Sequence, residues 1–341
     1  MTTFIEFCSC SFLFLMALAS SGMTYQYVGS HIDEKKYIPI GRMVDIGGYQ
    51  LHMVDMGSGG PTVVIDSGLG CNCLDWQLVQ PEIAKFTRVI TYDRAGYAWS
   101  DPSPLSRTSE NIVFELYTLL HQAGIPGPYV LVGHSFGGNN MRLYADIYPE
   151  DVLGIVLVDA GHEDFFDHDL IPSITDYIIK TLMVVHYVGI PRLLNNIPPL
   201  KKLFHRRLED YSQEMAQLYF AQKSANKYAE ALGNESLLFK HNCTQLKGRG
   251  SFLQDKPLIV ISAAQQFLNE EFKGLWTDEE IDRVNKRWPE LQMDLVTKSY
   301  QSRHLIAHKS GHMINYDEPE IIVQAVYDMI FDMLAWDGNI D

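Results

Sequence analysis

One stretch constrains this chain more than any other: Tyr129-Val130-Leu131-Val132-Gly133-His134-Ser135-Phe136-Gly137-Gly138. Its apolar, β-branched opening predicts a buried strand. Residues 139–148 predict a helix stopped by Pro149. Between them lies Gly-x-Ser-x-Gly, a strand-to-helix reversal that strains the serine backbone and pushes its oxygen outward. Gly133 and Gly137 flank the turn, where a Cβ would meet neighbouring backbone. The N–H of Phe136 points toward the serine oxygen, and the new helix offers its positive dipole end to an oxyanion. A bare Gly-x-Ser-x-Gly occurs by chance in ~0.1 of chains this long. The strand before it and the helix after it make Ser135 a candidate nucleophile.

The surrounding pattern is α/β. Apolar runs at 62–66, 88–92, 154–159, 258–263 and 303–308 predict strands, with helical spacing between several of them. Such alternation implies a parallel sheet whose strand C-termini share one edge. That edge collects Ser67-Gly68-Leu69-Gly70, Asp93, Ser135 and Asp159, and ligands bind at such edges. The 67–70 loop follows a strand and can approach a ligand closely, so Leu69 N–H is a candidate second oxyanion donor. Asp93 and Arg94 read as a structural ion pair or turn cap. Residues 43–54 predict a hairpin around Gly47-Gly48, with His52 facing outward from its strand. Residues 74–86 predict a helix interrupted at Pro81. Further helices are expected from Thr108, over 268–288 and over 319–334.

The chain has 341 residues, 46% hydrophobic and 20% charged, with a net charge of −15. That suits one large α/β domain with an insertion. Its acidity argues against nucleic acid and anionic lipid headgroups as partners. Residues 162–250 break the β/α rhythm and read as an inserted helical cap, rich in aromatics and Met. The expected organisation is a signal peptide or membrane anchor over 1–30, core over 31–161, cap over 162–250 and core again over 251–341. Residues 7–25 carry no charge, which suggests secretion or a membrane tether through residues 7–27. Glu6 is unlike a basic signal-peptide start, and the strongly apolar part is shorter than the ~20 residues that span a bilayer. Residues 31–41 read as a polar approach to the fold. Five cysteines allow no complete disulfide framework, and Cys71-Asn72-Cys73 lacks zinc-ligand spacing. Asn234-Glu235-Ser236 and Asn242-Cys243-Thr244 are sequons, relevant only in a glycosylating compartment.

A serine needs an adjacent base. Of twelve histidines, His312 sits in a glycine-supported loop after the last strand, on the expected edge. His304 and His308 lie in that strand, and the His134 side chain is expected to leave the turn on the other side. The base needs a carboxylate. After the strand ending at Ala263 the sequence is Ala264-Gln265-Gln266-Phe267, with no acid. Asp159, at the end of the preceding strand, is the favoured candidate, with Glu270 or Glu271 as runner-up.

The order Ser135, carboxylate, His312 resembles that of the α/β-hydrolase superfamily, and residues 42–335 look like its lipase/esterase type. Ser67-Gly68-Leu69-Gly70 stands where those proteins have an HG-type oxyanion loop, with Ser67 replacing His. Asp93-Arg94-x-Gly96-x-x-x-Ser100 resembles their D-R-x-G-x-G-x-S turn, with Ala98 replacing the third glycine. The Gly133–Gly137 turn and Ser310-Gly311-His312 complete the set. The resemblance implies an α/β-hydrolase fold and a serine hydrolase acting on a small-molecule ester, with no metal or cofactor, and the aromatic, Met-rich cap suggests that the substrate is apolar. Some superfamily members place their acid where Asp159 falls. The same triad also serves cofactor-free lyases and haloperoxidase-like enzymes, and a ligand-binding receptor with little turnover is a further reading. Epoxide hydrolases and dehalogenases place Asp at the nucleophile position, which disfavours their chemistry.

Overall fold

The computed structural model describes residues 2–165, 175–197, 212–248, 253–268 and 276–333. Its strands are β1 (Arg42–Asp45), β2 (Gln50–Met56), β3 (Thr62–Asp66), β4 (Val89–Tyr92), β5 (Tyr129–His134), β6 (Val152–Val158), β7 (Leu258–Ala263) and β8 (Ser302–Ala307). The helices before the insert are α1 (Thr2–Lys36), α2 (Gln80–Ile83), α3 (Ser109–Gln122) and α4 (Phe136–Ile147). Between β6 and β7 come α5 (Thr175–Tyr187), α6 (Ile190–Asn195), α7 (Gln213–Lys223), α8 (Asn226–Leu237) and α9 (Phe239–Leu246). The chain then adds α10 (Asp278–Val296), α11 (Ile314–Asp317) and α12 (Pro319–Asp328).

The strands form one 8-stranded sheet in the order β1-β2-β4-β3-β5-β6-β7-β8. β1 and β2 make the expected hairpin, with Asp45 opposite Gln50. Gly47 and Gly48 turn it at φ +115 and +101, where a side chain would be strained. β2 runs antiparallel to β4, and β3 to β8 run parallel. The parallel strands therefore deliver their C-terminal ends to one edge.

Alternate strand residues face opposite layers. Val63, Ile65, Val130, Val132, Val156 and Val158 pack with Ile322 and Val326 of α12. Val64, Leu131, Ile155 and Leu157 pack with Val113 and Leu116 of α3 and Met141 of α4. Each such buried side chain contributes about 1.5–3 kcal/mol. Burial on both faces is why these strands are continuous apolar runs.

Several expectations need correction. His52 is fully buried, because β2 is covered on both faces and Trp99 lies 4.6 Å from the His52 ring. Pro81 sits in the first turn of α2 and opens that helix, a position where its missing N–H costs nothing. α10 starts later than expected and runs past Pro289. Thr277 and Glu280 form a capping box at its start, and buried Leu291 and Leu295 hold the turns beyond the proline. Residues 31–36 continue α1. The second half of α1 is docked: Gln26 donates to the Ser224 carbonyl at 2.6 Å, and Arg192 pairs with Asp33. Phe12, Leu13, Phe14, Leu15, Met16 and Leu18 remain exposed. No helix among the described residues is long and apolar enough to cross a membrane. Of the two sequon asparagines, Asn242 is buried and bonded to Ser109 N–H and the Arg107 carbonyl, whereas Asn234 is exposed.

Candidate active site

Ser135 sits between β5 and α4 at φ 51, ψ −121, a backbone conformation costly for a residue with a Cβ. Its N–H donates to the Val158 carbonyl at 3.1 Å, and its own carbonyl accepts from Gly138 and Gly161 N–H. The glycines make room for this reversal. A Cβ on Gly133 would lie 2.6 Å from Gly138 Cα, and one on Gly137 would lie 2.7 Å from the Ser67 carbonyl oxygen. Gly137→Ala should therefore cost about 3 kcal/mol, the upper end for over-packing, because backbone is what must yield. Gly311→Ala, with nothing within 4 Å of the added carbon, should be nearly silent. Urea midpoints of the two variants check the contrast.

His312 arrives on the loop between β8 and α11. Its Nε2 accepts from Ser135 Oγ at 2.9 Å, and its Nδ1–H donates to Asp159 Oδ2 at 2.6 Å. Asp159 follows β6 at φ 40. Its backbone N–H is held by the Ile261 carbonyl at 2.7 Å, and its side chain is buried. The structure thus brings Ser135, His312 and Asp159, far apart in sequence, into one hydrogen-bonded chain. Glu270 and Glu271 lie outside the described residues. The imidazole keeps 20% of its side-chain exposure.

His134 differs from the expectation. Its ring turns toward the site, and Nε2–H donates to the His312 carbonyl at 2.8 Å. Burial, with His312 beside it, pushes the ring down to about 3. His134 is thus a neutral support for the His312 loop.

The 67–70 loop lies against the serine: a Cβ on Gly68 would sit 3.2 Å from Ser135 Cβ. Arg94 donates to the Ser67 and Gly68 carbonyls at 2.6 and 2.8 Å. The Gly68–Leu69 peptide is trans, so Leu69 N–H faces away from Arg94. Phe136 is the first residue of α4, and its N–H is among the donors a helix start leaves unpaired. Asp93 and Arg94 are held in structural bonds, with other partners rather than with each other. Asp93 holds His52 Nδ1 at 2.7 Å and Cys73 N–H at 2.8 Å. Arg94 pairs with Asp66 at 2.7 Å and with Glu235 of α8 at 3.1 Å. α7 and α8 reach the same loop through Asn72–Gln222 and through Tyr228 Oη, which donates to the Gly70 carbonyl.

Among the described residues, His52, Cys73 and Asp93 form one cluster of metal-ligating types. It fits a structural network better than a metal centre. His52 Nε2 accepts from Gly41 N–H at 3.1 Å, which leaves the proton on Nδ1 to bond Asp93. Burial, reinforced by Asp93, pushes the Cys73 thiol well up, whereas a metal requires the thiolate.

The fold and the site can be set beside known proteins. The family model described as alpha/beta hydrolase fold matches residues 61–180, the span from β3 to the start of the insert. The match and the strand order give the chain the α/β-hydrolase fold. An uncharacterised protein of Bacillus subtilis is 26% identical over 80% of this chain and 85% of its own length. A 2-hydroxy-6-oxo-2,4-heptadienoate hydrolase of Pseudomonas putida is 32% identical over 40% of the chain and 51% of its own length. A thermophilic esterase of Thermogutta terrifontis superposes with a TM-score of 0.57 at 18% identity, covering 86% of this chain and 98% of that one. The last likeness speaks for the fold.

Sequence reading missed three supports of the site. Trp288 and the Ala263 N–H both donate to Asp159, and Glu235 balances Arg94. The Asp-Arg pair at 93–94 was a signal for Arg94. Trp288 left none, because a helical aromatic reads as core.

Proposed function

We propose that this protein is a serine hydrolase of the α/β-hydrolase superfamily that cleaves a carboxylic ester or related acyl compound. The observation that carries the reading is the continuous chain from Ser135 Oγ through His312 to Asp159, with links of 2.9 and 2.6 Å. Ser135 attacks the acyl carbonyl while His312 Nε2 takes its proton. Asp159 holds the Nδ1–H tautomer and balances the imidazolium. Leu69 and Phe136 N–H groups receive the oxyanion, aided by the positive end of α4. The protonated His312 then gives its proton to the leaving oxygen. Water, activated by His312, releases the acyl group from Ser135.

A small, apolar substrate is proposed with it. The support is the aromatic side of the site, where Phe267 lies 4.5 Å from His312 and Phe239 lies 5.4 Å from Phe136, ring to ring. Export or membrane tethering by α1 is likewise a proposal, supported by its exposed apolar residues 12–16 and 18.

The test is covalent labelling. A fluorophosphonate should modify the protein stoichiometrically, with the tag on the Ser135 peptide by mass spectrometry. A panel of p-nitrophenyl esters should then show turnover that falls in proportion to labelling. An unlabelled protein that turns over a cyanohydrin or a halide substrate would replace this reading with the lyase or haloperoxidase one.

A further inference from the structure

Asp159 needs more than His312 to fix its carboxylate. Oδ1 accepts from Ala263 N–H at 3.2 Å. The indole Nε1–H of Trp288 lies 3.1 Å from both carboxylate oxygens. Trp288 is only 5% exposed and stacks on Phe267 with ring centroids 4.0 Å apart and planes 21° apart. Phe267 sets its ring T-shaped to His312 at 4.5 Å, and Trp288 stands at 85° to the same imidazole. One indole therefore touches the carboxylate by hydrogen bond, and the imidazole is framed by two aromatic planes.

We propose that Trp288 is a positioning residue for the Asp159–His312 pair. Its N–H fixes the rotation of the carboxylate and takes up part of its charge, and its ring backs Phe267 against the imidazole. The chain's own layout explains the need. The exit of β7, where the resemblance expects an acid, carries Ala264-Gln265-Gln266-Phe267 instead. The carboxylate comes from the neighbouring strand, and the β7 exit contributes only a backbone donor and an aromatic plate. A buried, ionised carboxylate has about four acceptor sites and is costly when they go unmet. α10 brings the missing donor, and the charge on the acceptor makes that bond strong.

This inference rests on the serine-hydrolase reading for its rate measurement, so a second signal that needs no reaction accompanies it. Trp288→Phe keeps an aromatic plate and removes the N–H. The rate of fluorophosphonate labelling should fall about tenfold, the effect of losing one hydrogen bond to a charged group. The acidic limb of the labelling rate should move to higher pH by several tenths of a unit. The reason is that a carboxylate relieved of a donor attracts the protonated imidazole more strongly. The low-field proton resonance of the His312–Asp159 hydrogen bond should shift as well. A role in packing alone would lower the melting temperature and leave limb and resonance in place. An unchanged limb and resonance would overturn the proposal. Should Trp288→Phe fail to fold, 3-benzothienylalanine at position 288 replaces N–H by sulfur with the shape kept. An unlabelled wild type would defeat the hydrolase reading, and the resonance of the two proteins would still decide the role of Trp288.

Discussion

Ser135→Ala should lower kcat on p-nitrophenyl esters by about 10⁵–10⁶, the loss that follows when the nucleophile of a serine hydrolase is removed. Stability should change little. Ser135 Oγ makes one hydrogen bond, to His312, and the strained turn is held by backbone bonds from Gly138 and Gly161 that alanine retains. Asp159→Asn should cost about 10⁴, because an amide at that position favours the wrong imidazole tautomer. It should cost stability too, since the amide NH₂ set against His312 Nδ1 would also face the Trp288 N–H. The pair of variants separates the roles. Fluorophosphonate labelling should vanish in Ser135→Ala and persist slowly in Asp159→Asn. Full activity of Asp159→Asn would move the acid elsewhere, and ester turnover by Ser135→Ala at wild-type rate would sink the acyl-enzyme.

The reversal at Ser135 was legible because its requirements are local. A strand, two glycines and a helix start within a dozen residues leave few alternatives. The sheet was legible for a related reason: strands buried on both faces have nothing to alternate. Where burial comes from distant chain, the sequence is silent. His52 sits in a hairpin strand that looks half-exposed, and only the packing of Trp99 and the Asp93 bond show that it is buried. His134 was expected to turn away, yet the His312 carbonyl needed its N–H. Asp159 was reached by elimination along one sheet edge. Its two other donors were not, because neither a backbone N–H nor an indole in α10 leaves a pattern at any fixed spacing from residue 159. The extent of α10 was obscured by Pro289, which reads as a stop and is overridden by the buried side chains that follow it.

The largest stability effect is expected at Arg94. Its guanidinium is 2% exposed and answers two carboxylates and two carbonyls at once: Asp66, Glu235, Ser67 and Gly68. Burial works against its charge, and Glu235 with Asp66 outweighs burial, so the group stays well up and ionised. Arg94→Met fills much of the volume and removes every donor. Asp66 would keep Asn140 and Glu235 would keep Tyr97 and, at 3.6 Å, Arg107, but Asp66 would lose the cation beside it and Glu235 the nearer of its two. Breaking one partner out of such a buried network costs about 3–5 kcal/mol, read as a melting temperature lower by roughly 4–7 °C for a chain of 341 residues. Glu235→Gln added to Arg94→Met should recover part of that loss, since it removes one stranded charge. Activity should fall separately. The Gly68–Leu69 peptide would lose its clamp, and one poorly placed oxyanion donor costs about 10²-fold in kcat. Below the melting transition, where the variant is still folded, labelling of Ser135 should be slowed to that degree. A folded variant with wild-type labelling would show that the loop holds its own geometry and that the cation serves stability alone.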